Sequence, residues 1–145
     1  MVFNLASVVA MSHSGQLEIW VDTYLTSGTW ANQALATGLK RQSRWWLGPL
    51  EIEISQLQRC CGPEPGMEFR MDPAWWTERT GELAASLPDL AALPPLIIEY
   101  RQGLLSVRDG NHRLGALEQL GWRTCWVLIW FNLQADYEAY SRGSN

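Results

Sequence analysis

Val107-Arg108-Asp109-Gly110-Asn111-His112-Arg113 decides the fold, because it ends an apolar extended run and opens a helical one. Leu104-Leu105-Ser106-Val107-Arg108 before it has strand character, and Leu114, Leu117 and Leu120 after it fall on one helical face. Gly121 then supplies a C-terminal cap. Four features converge in the junction. Gly110 lets the backbone turn tightly and approach a ligand. The unpaired N–H groups of Asn111, His112 and Arg113 would point out of the helix start, where the dipole favours an anion. Arg113 adds a planar fork suited to phosphate oxygens. Asp109, at the strand end, is placed to hold a magnesium ion or to take a proton from a hydroxyl nucleophile. A plainer reading stands beside this one: Asp-Gly is also a common hairpin turn, and Asp109 or Asn111 can simply cap the helix.

Working outward, Thr124 to Phe131 is apolar on both alternating sets, as in a strand covered on both faces. Leu96-Ile97-Ile98-Glu99-Tyr100 follows Pro94-Pro95 and reads as another strand, joined to Leu104–Arg108 through a hairpin turn at Arg101-Gln102-Gly103. Asp72-Pro73 starts a helix whose inward stripe is Trp76, Thr80, Leu83 and Leu87, with Pro88 as its stop. Gly62-Pro63-Glu64-Pro65-Gly66 is a loop by composition. Leu50-Glu51-Ile52-Glu53-Ile54 alternates like a strand, with Glu51 and Glu53 on its solvent face, and Gly48-Pro49 marks the boundary before it. Further upstream, Gln16 to Val21 alternates weakly like a strand, and a helix is expected from about Trp30 to Trp45, ending on Lys40, Arg41 and Arg44. A short polar helix and the tail Ser141–Asn145 are expected after Asn132.

The 145 residues and 16.5 kDa suit a single domain with a real core, since 47% of residues are hydrophobic and 18% charged. A net charge of −4 argues against wholesale electrostatic binding of DNA or an anionic membrane. Lys40 is the single lysine, so a phosphate site here relies on arginine and backbone amides. Cys60, Cys61 and Cys125 form no disulfide framework or metal-type spacing, and Cys60-Cys61 read as small buried hydrophobes. No apolar run approaches the roughly 18 residues of a membrane helix, and the N-terminus lacks the basic start of a secretory signal. A cytoplasmic protein is the expectation. His112 taken alone reads as a structural or surface histidine, whereas Glu64 is a carboxylate well held by its Pro-Glu-Pro loop for catalysis or metal binding.

The order strand, proline-rich loop, helix, Pro-Pro strand, hairpin, Asp109-Gly110-Asn111-His112-Arg113, helix and final strand resembles the ParB/sulfiredoxin fold. The resemblance covers about Leu50 to Phe131 and is most specific from Asp109 to Gly121. It implies an α+β fold, a small mixed β-sheet with flanking helices, in a domain spanning 47–145. Residues 1–46 form an N-terminal extension, read as a strand plus a helix packing on the core. In that family the glycine-x-x-arginine turn binds nucleotide phosphates, in agreement with the reading of the junction. Sulfiredoxins carry a nucleophilic cysteine right after the glycine, where this chain has Asn111. Partitioning ParB proteins carry an acidic-arginine pair where Asn111-His112 stands, and continue into a helix-turn-helix domain. The free serine kinases of this fold are more similar, with an Asp-Gly-x-x-Arg turn whose aspartate is the base and a loop glutamate to which Glu64 is the nearest match.

The leading expectation is a nucleotide-binding domain that hydrolyses or transfers the terminal phosphate of ATP or a related nucleotide to a small acceptor. Gly110, Asn111, His112 and Arg113 would cradle the phosphates, Asp109 would bind Mg²⁺ or act as base, and His112 and Glu64 complete the candidate catalytic set. A second expectation is a ParB-like nucleic-acid-binding or nuclease domain using Arg101, Arg108, Arg113 and Arg123, which the acidic balance disfavours. A third is a catalytically idle protein-interaction module, with Trp20, Trp30, Trp45, Trp46, Trp75 and Trp76 as an aromatic patch. Against it, the same tryptophans simply close the N-terminal segment over the sheet, or line a pocket for an acceptor.

Overall fold

In the computed structural model, which describes residues 2–87 and 89–143, the chain forms a five-stranded mixed sheet with helices on both faces. The strands are β1 (Trp45–Glu53), β2 (Leu57–Arg59), β5 (Leu96–Arg101), β6 (Leu104–Asp109) and β7 (Thr124–Phe131), in the order β1-β7-β5-β6-β2. β3 (Cys61–Gly62) and β4 (Phe69–Arg70) make a separate two-stranded ladder. β7 runs parallel to β5 and antiparallel to β1. The β5–β6 hairpin closes on Gln102-Gly103, both with positive φ, 52° and 83°, as a two-residue turn requires. From β1 to β7 the elements follow the order that the ParB/sulfiredoxin resemblance implied.

The pleat divides the central strands between two cores. Leu128 and Trp130 of β7 and Ile97 of β5 face α1 (Leu5–His13), α2 (Leu17–Thr26) and α3 (Gln33–Leu39). Val127, Ile129 and Phe131 face α5 (Asn111–Gln119), which contributes Leu114 and Leu117, and are joined there by Tyr137 and Tyr140 of α6 (Gln134–Gly143). Glu51 and Glu53 are exposed on β1, as expected. α4 (Pro73–Ser86) is capped by Asp72, whose carboxylate accepts from the Trp75 N–H at 3.0 Å. Its Trp76 and Thr80 are buried against α5, where the Thr80 hydroxyl accepts from Gln119 Nε2 at 2.7 Å. The expected stop at Pro88 lies outside the described residues.

The structure corrects the N-terminal reading. Gln16 to Val21 is not a strand: Leu17, Trp20, Val21, Tyr24 and Leu25 all lie buried along α2, a helical stripe that the six-residue alternation cuts short. The helix expected over Trp30–Trp45 is only α3, started by Asn32, whose side chain accepts from the Leu35 N–H. Arg44 ends it by donating to the carbonyls of Leu39 and Gly38. Trp45 already belongs to β1, and Gly48-Pro49 lies within that strand, at a bulge between Leu47 and Leu50. A Cβ on Gly48 would come within 2.8 Å of the Val127 carbonyl oxygen, so the bulge needs glycine. Ser141 to Gly143, expected in the tail, are helical.

Of the six tryptophans proposed as a patch, Trp75 alone is exposed; Trp20 and Trp76 are buried and Trp46 packs on the first core. Among the described residues no helix is long and apolar enough to cross a membrane.

The α4–α5 contact depends on Gly115, where a Cβ would lie 2.8 Å from Trp76 Cζ2 and 2.9 Å from Thr80 Cγ2. Glycine to alanine within a helix ordinarily gains about 1 kcal/mol. Here Gly115→Ala is expected to lose about 1–2 kcal/mol net, since the indole cannot give way cheaply. Urea denaturation should show a lower midpoint with an unchanged slope; a raised midpoint would contradict the packing.

Candidate functional site

β6 delivers the chain to Gly110 at φ 100°, ψ 19°, a conformation that side chains rarely adopt. A Cβ there would also strike Leu96 Cδ2 at 2.4 Å. Gly110 is the N-cap of α5 and offers no side-chain acceptor, and no acidic residue lies in the first turn. The first main-chain bond of the helix runs from the Leu114 N–H to the Gly110 carbonyl. The N–H groups of Asn111, His112 and Arg113 therefore have no intrahelical partner and carry the positive end of the helix dipole. The plainer alternatives do not hold, because the turn joins a strand to a helix and neither Asp109 nor Asn111 caps it.

Two cavities open on either side of this turn and share Asp109, Gly110, Asn111 and His112 in their walls. The larger, about 470 Å³, is completed by Asn32, Leu35, Cys61, Phe69 and Arg108. The smaller, about 170 Å³, is completed by Trp30, Arg79 and Arg113, among others. Ligand pockets commonly span about 300–1,000 Å³, so the larger one has room for a small ligand.

The side chains of the turn do different work from its backbone. Asn111 is buried: its Oδ1 accepts from the Cys60 and Cys61 N–H groups at 3.0 and 3.3 Å, and its Nδ2 donates to the Val107 carbonyl at 3.0 Å. It clips the β2–β3 segment onto the end of β6. Cys60 is buried beside it, as expected, while Cys61 is half-buried on the wall of the larger cavity. Arg113 is also buried, its side chain 2% exposed, and is not a free phosphate fork. Its Nη1 donates to the Pro94 carbonyl at 2.6 Å, and its Nη2 to the Tyr24 hydroxyl at 2.8 Å and Asp109 Oδ2 at 3.1 Å. The Trp30 ring covers the guanidinium at 4.5 Å.

Asp109 Oδ2 accepts from both Arg113 and the Tyr24 hydroxyl, the latter at 3.1 Å. Asp109 Oδ1 has no hydrogen bond among the described residues. His112 packs against Trp75 and Trp76 with ring centroids 5.3 and 4.8 Å apart, and its Nε2 is buried without a partner. Burial, reinforced by the Arg79 guanidinium, holds its pKa below the ordinary histidine value. Glu64 is not brought to the turn. It pairs with Arg59, which also holds Glu118 at 3.0 Å and lies over the Trp76 ring. The hydrogen bond from Arg59 keeps the Glu64 carboxyl below its usual range.

Sequence reasoning missed Tyr24 and named Trp30 only within the set of tryptophans that could line an acceptor pocket; the two reach the site from α2 and the loop after it. Reading the apolar stripe of α2 four residues further would have placed Tyr24 on the sheet-facing side. Among the described residues no group of three or more His, Cys, Asp or Glu side chains could hold a metal ion by itself. Mg²⁺ bound mainly through phosphates and water needs only one carboxylate oxygen, and Asp109 Oδ1 fits that need.

Among the solved structures similar to the chain are a sulfiredoxin and a ParB-N domain. The sulfiredoxin is from Arabidopsis thaliana, with a TM-score of 0.41 and 22% identity, matched over 55% of this chain and 81% of that one. The ParB-N domain is Pnob8-like, with a TM-score of 0.39 and 16% identity over 66% of this chain and 32% of that one. No family model and no curated protein sequence matches the chain.

Arg113→Ala would strand Asp109 and the Pro94 carbonyl, so about 3–5 kcal/mol of stability should be lost, with little recovery in Arg113→Lys. Chemical denaturation decides it, and a stable Arg113→Ala protein would contradict the buried network. For His112 the sign is also fixed. Its folded pKa is depressed, so the unfolded chain binds the extra proton. Its contribution is present above the unfolded value of about 6.5 and is lost as pH falls through the lower folded value. Between about pH 7.5 and pH 5, His112→Phe should lose less stability than the wild type in parallel thermal melts. Equal losses would refute the assignment.

Proposed function

We propose that the groove around the start of α5 binds the phosphates of ATP or a related nucleoside triphosphate, and that the chain hydrolyses or transfers the terminal phosphate to a small acceptor. One observation carries this: the α5 N-terminus is uncapped by any side chain and opens, through Gly110, on a cavity of about 470 Å³. The backbone N–H groups of Asn111 to Arg113 supply donors that need no rearrangement as charge builds on the phosphate oxygens. Arg108 and Arg79, one on each cavity wall, are the nearest side-chain cations left to face a ligand. Arg108 is tied to Glu68 at 2.8 Å and to Glu99 at 3.3 Å. Arg79 is half-exposed with only a 3.9 Å pairing to Glu82, so it is the freer of the two.

Asp109 Oδ1 takes the proton from the attacking hydroxyl or water as its oxygen bonds to the terminal phosphorus, and the nucleoside diphosphate leaves. Mg²⁺ bound by phosphate oxygens and water would offset the negative charge of the triphosphate, leaving Asp109 Oδ1 free to act as the base. Asn111 and Arg113 act indirectly, through the shape of the turn. The arginines of the nucleic-acid reading do not converge on one basic surface: Arg113 is buried, while Arg101, Arg108 and Arg123 each pair with a glutamate. That favours the nucleotide reading.

A thermal-shift panel of ATP, ADP, CTP and GTP with and without Mg²⁺ tests the proposal, because a ligand of the folded state raises the midpoint by mass action. At least one triphosphate should raise it. Asp109→Asn should keep that shift and lose phosphate release. No shift with any nucleotide would remove the reading.

A further inference from the structure

The N-terminal helices add a side chain to the site. Tyr24 of α2 is fully buried, stacked on Trp20 at 4.9 Å and met edge-on by Phe3 at 5.5 Å, so its ring has one position. Trp20 is in turn fixed by a hydrogen bond from its Nε1 to the Ser7 hydroxyl at 3.0 Å. A phenol has a single proton. Arg113 Nη2 can only donate, so the Tyr24 oxygen accepts from it, and the phenol proton goes to Asp109 Oδ2. With Arg113 also donating to Oδ2, three side chains from α2, β6 and α5 close a ring of hydrogen bonds around one carboxylate oxygen.

We infer that Tyr24 is a positioning residue for Asp109, holding Oδ2 inward so that Oδ1 alone faces the two cavities. The inference rests on the reading of the turn as a phosphoryl-transfer site. An aromatic ring without the hydroxyl would fill the same space and leave Asp109 free to rotate about its remaining bond to Arg113. The segment before β1 is therefore part of the site and not only a cover for the sheet.

Tyr24→Phe keeps the stack and removes one oxygen, so it is the direct test. Its thermal midpoint should fall modestly, because the buried Arg113 loses an acceptor, while its affinity for the triphosphate stays close to wild type, with KM unchanged. Its kcat should fall about ten- to a hundred-fold, the usual effect of removing a partner that orients a reacting group. A Tyr24→Phe protein with wild-type kcat would overturn the inference. The underlying reading fails separately, if the wild type binds and turns over no nucleotide. In that case proton NMR of the wild type decides for Tyr24: a slowly exchanging hydroxyl proton, shifted upfield in Asp109→Asn, supports the contact, and its absence overturns it.

Discussion

A buried guanidinium organises this molecule. Arg113 sits on the first turn of α5 with almost no exposure, and a charge in that position is tolerable only if its surroundings satisfy it. They do so for its two Nη groups and its planar face, from the Pro94 carbonyl ahead of β5, the Asp109 carboxylate at the end of β6, the Tyr24 hydroxyl of α2 and the ring of Trp30, while its Nε is buried without a hydrogen-bond partner. The same partners hold the N-terminal helices, the central hairpin and the α5 helix at fixed positions around Gly110. The geometry of the turn follows from meeting the needs of one cation.

Asn111 complements it on the other side. Where Arg113 ties the turn to α2 and β5, Asn111 ties it to the strand segment at Cys60 and Cys61. Both side chains are spent on structure. What remains for a ligand is the main chain, whose three N–H groups at the α5 start point into the space between those ties. A second buried charge shows the same economy. Glu99 of β5, 6% exposed, is satisfied by Arg101, Arg108 and Asn132, and so Arg108 is held beside the larger cavity.

The part of this that was legible in the sequence is the part governed by short-range rules. The β5–β6 hairpin, the Asp72-Pro73 helix start, the doubly covered β7 and the Gly110 turn each carry a local signature, and each is present. The N-terminal helices were misread because six residues of α2 alternate like a strand, and only the longer run to Leu25 shows the helical stripe. Spacing also could not say whether Arg113 points at a ligand or into the core. That choice depends on Tyr24 and Trp30, more than eighty residues away in the chain and joined to it only by the fold. Glu64 shows the reverse case: its loop suggested a carboxylate held ready for catalysis or metal binding, and the structure pairs it with Arg59 instead.

Four of the nine tryptophans gain a physical explanation from the same network. Trp20 fixes Tyr24, Trp30 covers Arg113, Trp76 packs on Gly115, and Trp75 and Trp76 enclose His112. Broad, rigid rings can exclude water from a cation or an imidazole while offering it a π-face, which aliphatic side chains of similar volume cannot do. A turn built from buried polar groups needs that kind of wall. The scarcity of lysine, with Lys40 the single one, fits as well, because a planar guanidinium can meet a carbonyl, a hydroxyl and a carboxylate at once from a fixed plane, whereas an ammonium would need all three drawn around a point.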